Sequence, residues 1–224
     1  MSVFKDIVKL WNADDLLSQA WDESYKMMVL SNEIFTQAIK YLRDGGNKDT
    51  IKALKKRDVE INNFQRDVRR KVVTHYAVSH DIDDLPNGLV LLNMVVDVER
   101  VGDYTKNILD LALNHPSTIR SEEFSEDLHH VEQEVISRFS KTLEAIHTQD
   151  ADVAQAMMDS YKENLTNISD QIVNGCISGK IILGNESKTV ALALYARYLK
   201  RIGAHLKNIT TVLINPFEAV GYKQ

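Results

Sequence analysis

The residues of this chain best equipped for chemistry lie in one stretch, VVDVERVGDYTKNILD at 95–110, which carries Asp97, Glu99, Asp103, Asn107 and Asp110. Side chains four residues apart on a helix share a face, so Glu99 and Asp103 could reach one ion, and oxygen donors of this kind suit hard or borderline divalent cations. At about 100° per residue, Asp110, Asp103 and Asn107 fall about 20°, 40° and 80° from Glu99, while Asp97 lies outside that arc. Val98, Val101, Thr105, Ile108 and Ala112 share the other face. The spacing therefore predicts three carboxylates and an amide in a stripe opposite the core. Like charges at this spacing cost only about 0.2–0.5 kcal/mol, so the stripe does not demand a cation, and a solvated acidic face is the usual reading of such a pattern.

A helix must position these groups, and the chain contains it twice. At an offset of 101, Arg100, Gly102, Lys106, Asn107 and Ile108 meet Arg201, Gly203, Lys207, Asn208 and Ile209 in RYLKRIGAHLKNITT, 197–211. The apolar face recurs as Leu199, Ile202, Leu206, Ile209 and Leu213. The acids do not: Asp97, Glu99, Asp103 and Asp110 become Tyr198, Lys200, Ala204 and Thr211. Glycine inside a helix costs about 1 kcal/mol against alanine, so Gly102 and Gly203 at equivalent positions predict close approach of another backbone.

The rest of the chain reads as more helix. Nine Gly and three Pro in 224 residues leave few turns. The spacing predicts a first helix over 14–43, with Trp21, Met28, Phe35 and Leu42 at seven-residue intervals, ended by Gly45 and Gly46. A second, over 49–75, has Leu54, Ile61, Phe64, Val68 and Val72 on one face and a densely charged, solvated other face. The third starts at Pro86 and stops before Pro116. The plan then repeats over 121–147, 150–179 and 186–214. At an offset of 104, Phe35, Ile39 and Leu42 meet Phe139, Leu143 and Ile146, and Ile61, Phe64 and Val68 meet Leu165, Ile168 and Ile172. The fold class expected is all-α: two tandem antiparallel three-helix bundles, over 14–116 and 117–224, after a short amphipathic helix over 1–13.

Composition narrows the function. A net charge of -5 gives no basic footprint for nucleic acid. The single Cys176 forms no internal disulfide, and the charged N-terminus and lack of a long apolar run point to the cytoplasm. No nucleophile elbow or phosphate loop is present, so hydrolase and nucleotide-enzyme chemistry have no support. His130 and Glu134 have ligand spacing, but exposed pairs of this type on an acidic helix are common.

Glu99-Arg-Val-Gly-Asp103-Tyr-Thr-Lys-Asn107-Ile resembles the third-helix signature of the PhoU family, Glu-Arg-Ile-Gly-Asp-His followed by Asn-Ile. Lys200-Arg-Ile-Gly-Ala204-His205 with Asn208-Ile209 resembles it with the acids replaced. The resemblance covers 16–214. It implies a non-enzymatic cytoplasmic regulator of phosphate uptake and phosphate-starvation signalling, usually a homodimer, that works with a phosphate ABC transporter and a membrane-bound sensor histidine kinase. It also implies a divalent or multinuclear metal site on the bundle surface, reported in the family with iron, zinc, manganese or magnesium. Glu99 and Asp103 match the family's metal-holding pair, with Asn107, Asp110 and Asp58 as further candidate ligands. Lys200 and Ala204 depart from it, so one metal site at most is expected. Trp11, Phe217 and Tyr222 are candidate dimer contacts. The alternatives are a carboxylate-based metalloprotein with a redox or storage role, and an accessory subunit of another ion transporter. Di-metal bundles aim Glu-x-x-His motifs inward, whereas the acids here oppose the apolar face.

Overall fold

The computed structural model describes residues 15–79, 83–115, 118–119, 126–148 and 150–222. The expected helix over 1–13, Trp11 and Pro116 lie outside these residues. Asp15 caps α1 (Leu16–Asp44) by accepting from the Ser18 amide at 2.8 Å, and Gly45, with φ of 77°, ends it. Trp21, Met28, Phe35 and Leu42 are all buried, so the seven-residue rhythm is the core seam. Next come α2 (Lys48–Lys56), α3 (Asp58–Ser79) and α4 (Leu85–Asn114), the last with Pro86 in its first turn. The second half has α5 (Glu126–Thr148), α6 (Ala151–Tyr161), a π-helical turn (Lys162–Asn167), α7 (Ile168–Ile177) and α8 (Glu186–Thr211), then a 3₁₀ turn (Phe217–Ala219).

Two of the expected helices are interrupted. The helix expected over 49–75 breaks at Arg57, whose amide bonds the Leu54 carbonyl and so closes α2. The helix expected over 150–179 widens into the π turn. The two breaks are equivalent, since Arg57 plus the 104-residue offset is Tyr161, the residue before the π turn. The break at Arg57 precedes Ile61 and the π turn contains Leu165, the equivalent apolar residues that enter the core.

Within each half the helices pack together, α1, α3 and α4 in the first and α5, α7 and α8 in the second, and α4 then lies along α8. Equivalent residues meet across the join. The rings of Phe35 and Phe139 are 5.6 Å apart, and Tyr104 stacks on His205 at 5.9 Å. A residue touches its own equivalent only beside a two-fold axis, so an approximate one passes between both pairs. Among the described residues no helix is long and apolar enough to cross a membrane.

Candidate functional site

The repeated glycines explain how α3 comes so close to α4. A Cβ on Gly102 would stand 3.1 Å from Ile61 Cδ1, and one on Gly203 would collide with Leu165. An aliphatic side chain fills each notch; the backbone approach expected from the sequence is not what the glycines serve. Seating Ile61 on Gly102 brings Asp58, one turn earlier on α3, against the acidic stripe, with Oδ1 3.6 Å from that same Cβ position. This also corrects the expected exposure. Glu99 and Asp103 are on the side away from the core, but α3 covers them in part, and their side chains are 20% and 32% exposed.

A charged knot results. Lys106 Nζ bridges Asp103 Oδ1 at 2.8 Å and Asp58 Oδ2 at 2.9 Å. Arg100 donates to Asp103 Oδ2 at 2.9 Å and lies 3.6 Å from Glu99, while Asn62 donates to Asp58 Oδ2 at 3.0 Å. Asp58 Oδ1 is buried and has no hydrogen-bond partner. Burial, followed by repulsion from Asp103 and Asp58, holds the Glu99 carboxyl above its ordinary pKa despite Arg100 and Lys106. Burial opposes the Lys106 charge, but its bonds to Asp103 and Asp58 outweigh that and leave its pKa raised. An open pocket of about 360 Å³ adjoins the knot, lined by Arg100, Asp103, Tyr104, Lys106 and Asn107.

The stripe divides at this point. Asp110 pairs with Lys55 of α2 at 2.5 Å, so it belongs to a separate contact, and Asn107 sits between the two. Among the described residues no three His, Cys, Asp or Glu side chains are arranged to hold a metal ion. The Lys106 ammonium bridges Asp58 and Asp103, so a cation held by those two carboxylates would have to displace it. In the second repeat Lys200 Nζ contacts both Asp170 oxygens at 2.6 Å, and Ala204 supplies no donor. Glu134 pairs with Arg138 at 2.7 Å rather than with His130.

Asp97, which the helical arc set aside, joins the two repeats. Its Oδ1 is 2.7 Å from His205 Nδ1 and accepts from Asn208 Nδ2 at 3.2 Å. Arg201 Nε donates to the Tyr104 hydroxyl at 3.0 Å, and Tyr104 lies beside Tyr198. The signal was in the repeat itself: Asp97 is equivalent to Tyr198 and Tyr104 to His205, so the contact of 97 with 205 and that of 198 with 104 are one contact seen twice.

The family model described as PhoU domain matches residues 25–112 and 128–213. None of the curated proteins compared matches the chain. Among solved structures the chain is similar to PhoU from Pseudomonas aeruginosa, at 21% identity and a TM-score of 0.75, covering 91% of this chain and 97% of that one. It is also similar to the phosphate transport system regulatory protein PhoU from Streptococcus pneumoniae, at 17% identity and a TM-score of 0.70, covering 88% and 93%.

Proposed function

Because the chain belongs to the PhoU family, we propose that it is a non-enzymatic regulator of phosphate uptake and phosphate-starvation signalling that acts by contact. The observation that carries this reading is the tandem match, which takes in both repeats; one solved neighbour is itself described as a phosphate transport system regulatory protein. The partners are then a phosphate ABC transporter and a membrane-bound sensor histidine kinase, met in the cytoplasm by a homodimer whose repeats divide at 116/117. The test is affinity capture of the full chain from cells grown in high and low phosphate, using wild type and the Glu99→Ala, Asp103→Ala double variant. Transporter and kinase subunits are expected with wild type, in amounts that change with phosphate, and fewer with the variant. Recovery of neither under both conditions would sink the reading, and recovery of another transporter's subunits would replace it with the accessory-subunit alternative.

A divalent ion, iron, zinc, manganese or magnesium, forms the second part of the proposal. Asp58, Glu99 and Asp103 would hold it and Asn107 would stand at the rim, whereas Asp110 stays with Lys55 and Lys200 with Asp170. Two observations favour it: the buried, unpartnered Asp58 Oδ1, and the Glu99 pKa, raised first by burial and then by repulsion from Asp103. When bound, the ion would supply a fixed positive charge to the docking surface. In calorimetric titrations with Mn²⁺ or Zn²⁺, Lys106→Met is expected to bind more tightly than wild type, because the competing ammonium is gone. Absence of uptake by Lys106→Met would remove the metal from the reading.

A further inference from the structure

The outward row of α2 and α3 runs Lys52, Lys56, Val59, Asn63, Arg66, Arg70, Val73. Its steps are alternately four and three residues, and every member is exposed. It contains no acid. The side chains of Lys48, Lys52, Lys56, Arg66 and Arg69 make no ion pair or hydrogen bond among the described residues, and Arg70, although paired with Asp67, keeps its side chain 74% exposed. Val59 stands between the cations and Val73 ends the row, at 60% and 65% exposure. Residues 48–73 carry nine Lys and Arg against four Asp and Glu, in a chain whose net charge is -5.

The fold does not demand this. At the 104-residue offset, Lys52, Lys56, Arg66 and Arg70 become Ala156, Ser160, Asp170 and Asn174, and residues 152–177 carry one lysine against four acids. The same scaffold thus has one flank basic and the equivalent flank acidic. We propose that the α2–α3 flank docks on an anionic phospholipid surface. The row follows about 30 Å of helical rise at 1.5 Å per residue, interrupted once at Arg57, with its cations spread along it rather than converging on a pocket. That shape suits a plane of diffuse charge better than a specific acidic side chain. Basic clusters of four to eight residues gain about 1 kcal/mol per cation at an anionic leaflet. The acidic remainder of the protein is repelled by such a surface, so the molecule lies on it in one orientation. This inference stands on the flank alone and does not depend on the partners proposed above.

The test is co-sedimentation of the full chain with vesicles of phosphatidylcholine, with and without one-third phosphatidylglycerol. Binding is expected only with the anionic lipid, and it should fall on going from 50 to 500 mM NaCl as the charges are screened. Lys52→Glu, Lys56→Glu and Arg66→Glu together should lower the partition constant by about 100-fold or more with the circular dichroism spectrum unchanged. Lys141→Glu, on the second repeat, should leave it as it is. Equal binding to both vesicle types, no binding to either, or an unaffected triple variant would overturn the proposal. Two other outcomes would also overturn it, by assigning the flank to a macromolecule. One is salt-sensitive binding of soluble polyglutamate with no vesicle partition; the other is a self-association that the triple variant abolishes.

Discussion

At the scale of single residues, the two repeated glycines make a sharp comparison. Alanine in place of either gains about 1 kcal/mol of helix propensity. At Gly102 the new methyl needs Ile61 Cδ1 to yield by a few tenths of an ångström, so Gly102→Ala should be close to neutral in thermal unfolding. At Gly203 it collides with Leu165, which is fully buried and has nowhere to turn, so overpacking of about 1–3 kcal/mol should outweigh the gain and lower the midpoint. Glu99 gives a second contrast. Its raised pKa means that the folded state favours the protonated carboxyl, so its contribution to stability is full below the ordinary glutamate pKa and is lost as pH rises through the folded value. Glu99→Gln mimics the protonated form. It should therefore raise the melting temperature at neutral pH, with the gain shrinking as the pH is lowered through the carboxylate range; a gain independent of pH would show that charge is not its source.

At the scale of elements, sequence periodicity was enough to find the core faces of α1, α3, α4 and α8, because burial of an apolar stripe is the strongest constraint on where a helix points; it did not assign Met157 and Met158 of α6, which are also buried. It could not find the helix interruptions, since neither Arg57 nor Lys162 is preceded by a proline or glycine that would advertise a break. The π turn instead follows directly on a set of tertiary contacts. Arg138, buried where the first repeat has Ile34, donates to the Met157 carbonyl at 2.6 Å and to Ser160 Oγ at 2.7 Å, and its guanidinium lies 5.6 Å from the Tyr161 ring centroid. It binds the chain just before the turn widens. Arg138→Met keeps the bulk but removes these donors and leaves Glu134 without its cation. It should cost about 3 kcal/mol in chemical denaturation and speed hydrogen exchange at the amides of 161–163. A loss below about 1 kcal/mol with exchange unchanged would mean that the turn holds itself. The burial of the acidic stripe was hidden for the same kind of reason: an ideal helix shows which residues share a face, not which neighbour covers that face.

At the scale of the whole molecule, the two repeats are joined by a surface that sequence reading undervalued. Asp97 looked marginal because it was judged against its own helix, whereas its partners, His205 and Asn208, are more than a hundred residues away on α8. The repeat register identifies the contact once α4 and α8 are known to run antiparallel about an approximate two-fold axis. Phe35 on Phe139 and Tyr104 on His205 mark that axis, one between α1 and α5 and the other between α4 and α8. An interface with apolar contacts at one end and a part-buried carboxylate–imidazole pair at the other should make the repeats unfold together. A single calorimetric transition is expected for wild type. Asp97→Ala leaves His205 and Asn208 facing each other without an acceptor, and should cost about 2–3 kcal/mol, which for a chain of this size lowers the midpoint by about 5–10 °C. The transition should stay single, because Phe35, Phe139 and the apolar faces of α4 and α8 still tie the halves. Two resolved transitions in wild type would show instead that each three-helix unit is stable by itself and that the Asp97 contact orients the repeats without holding them.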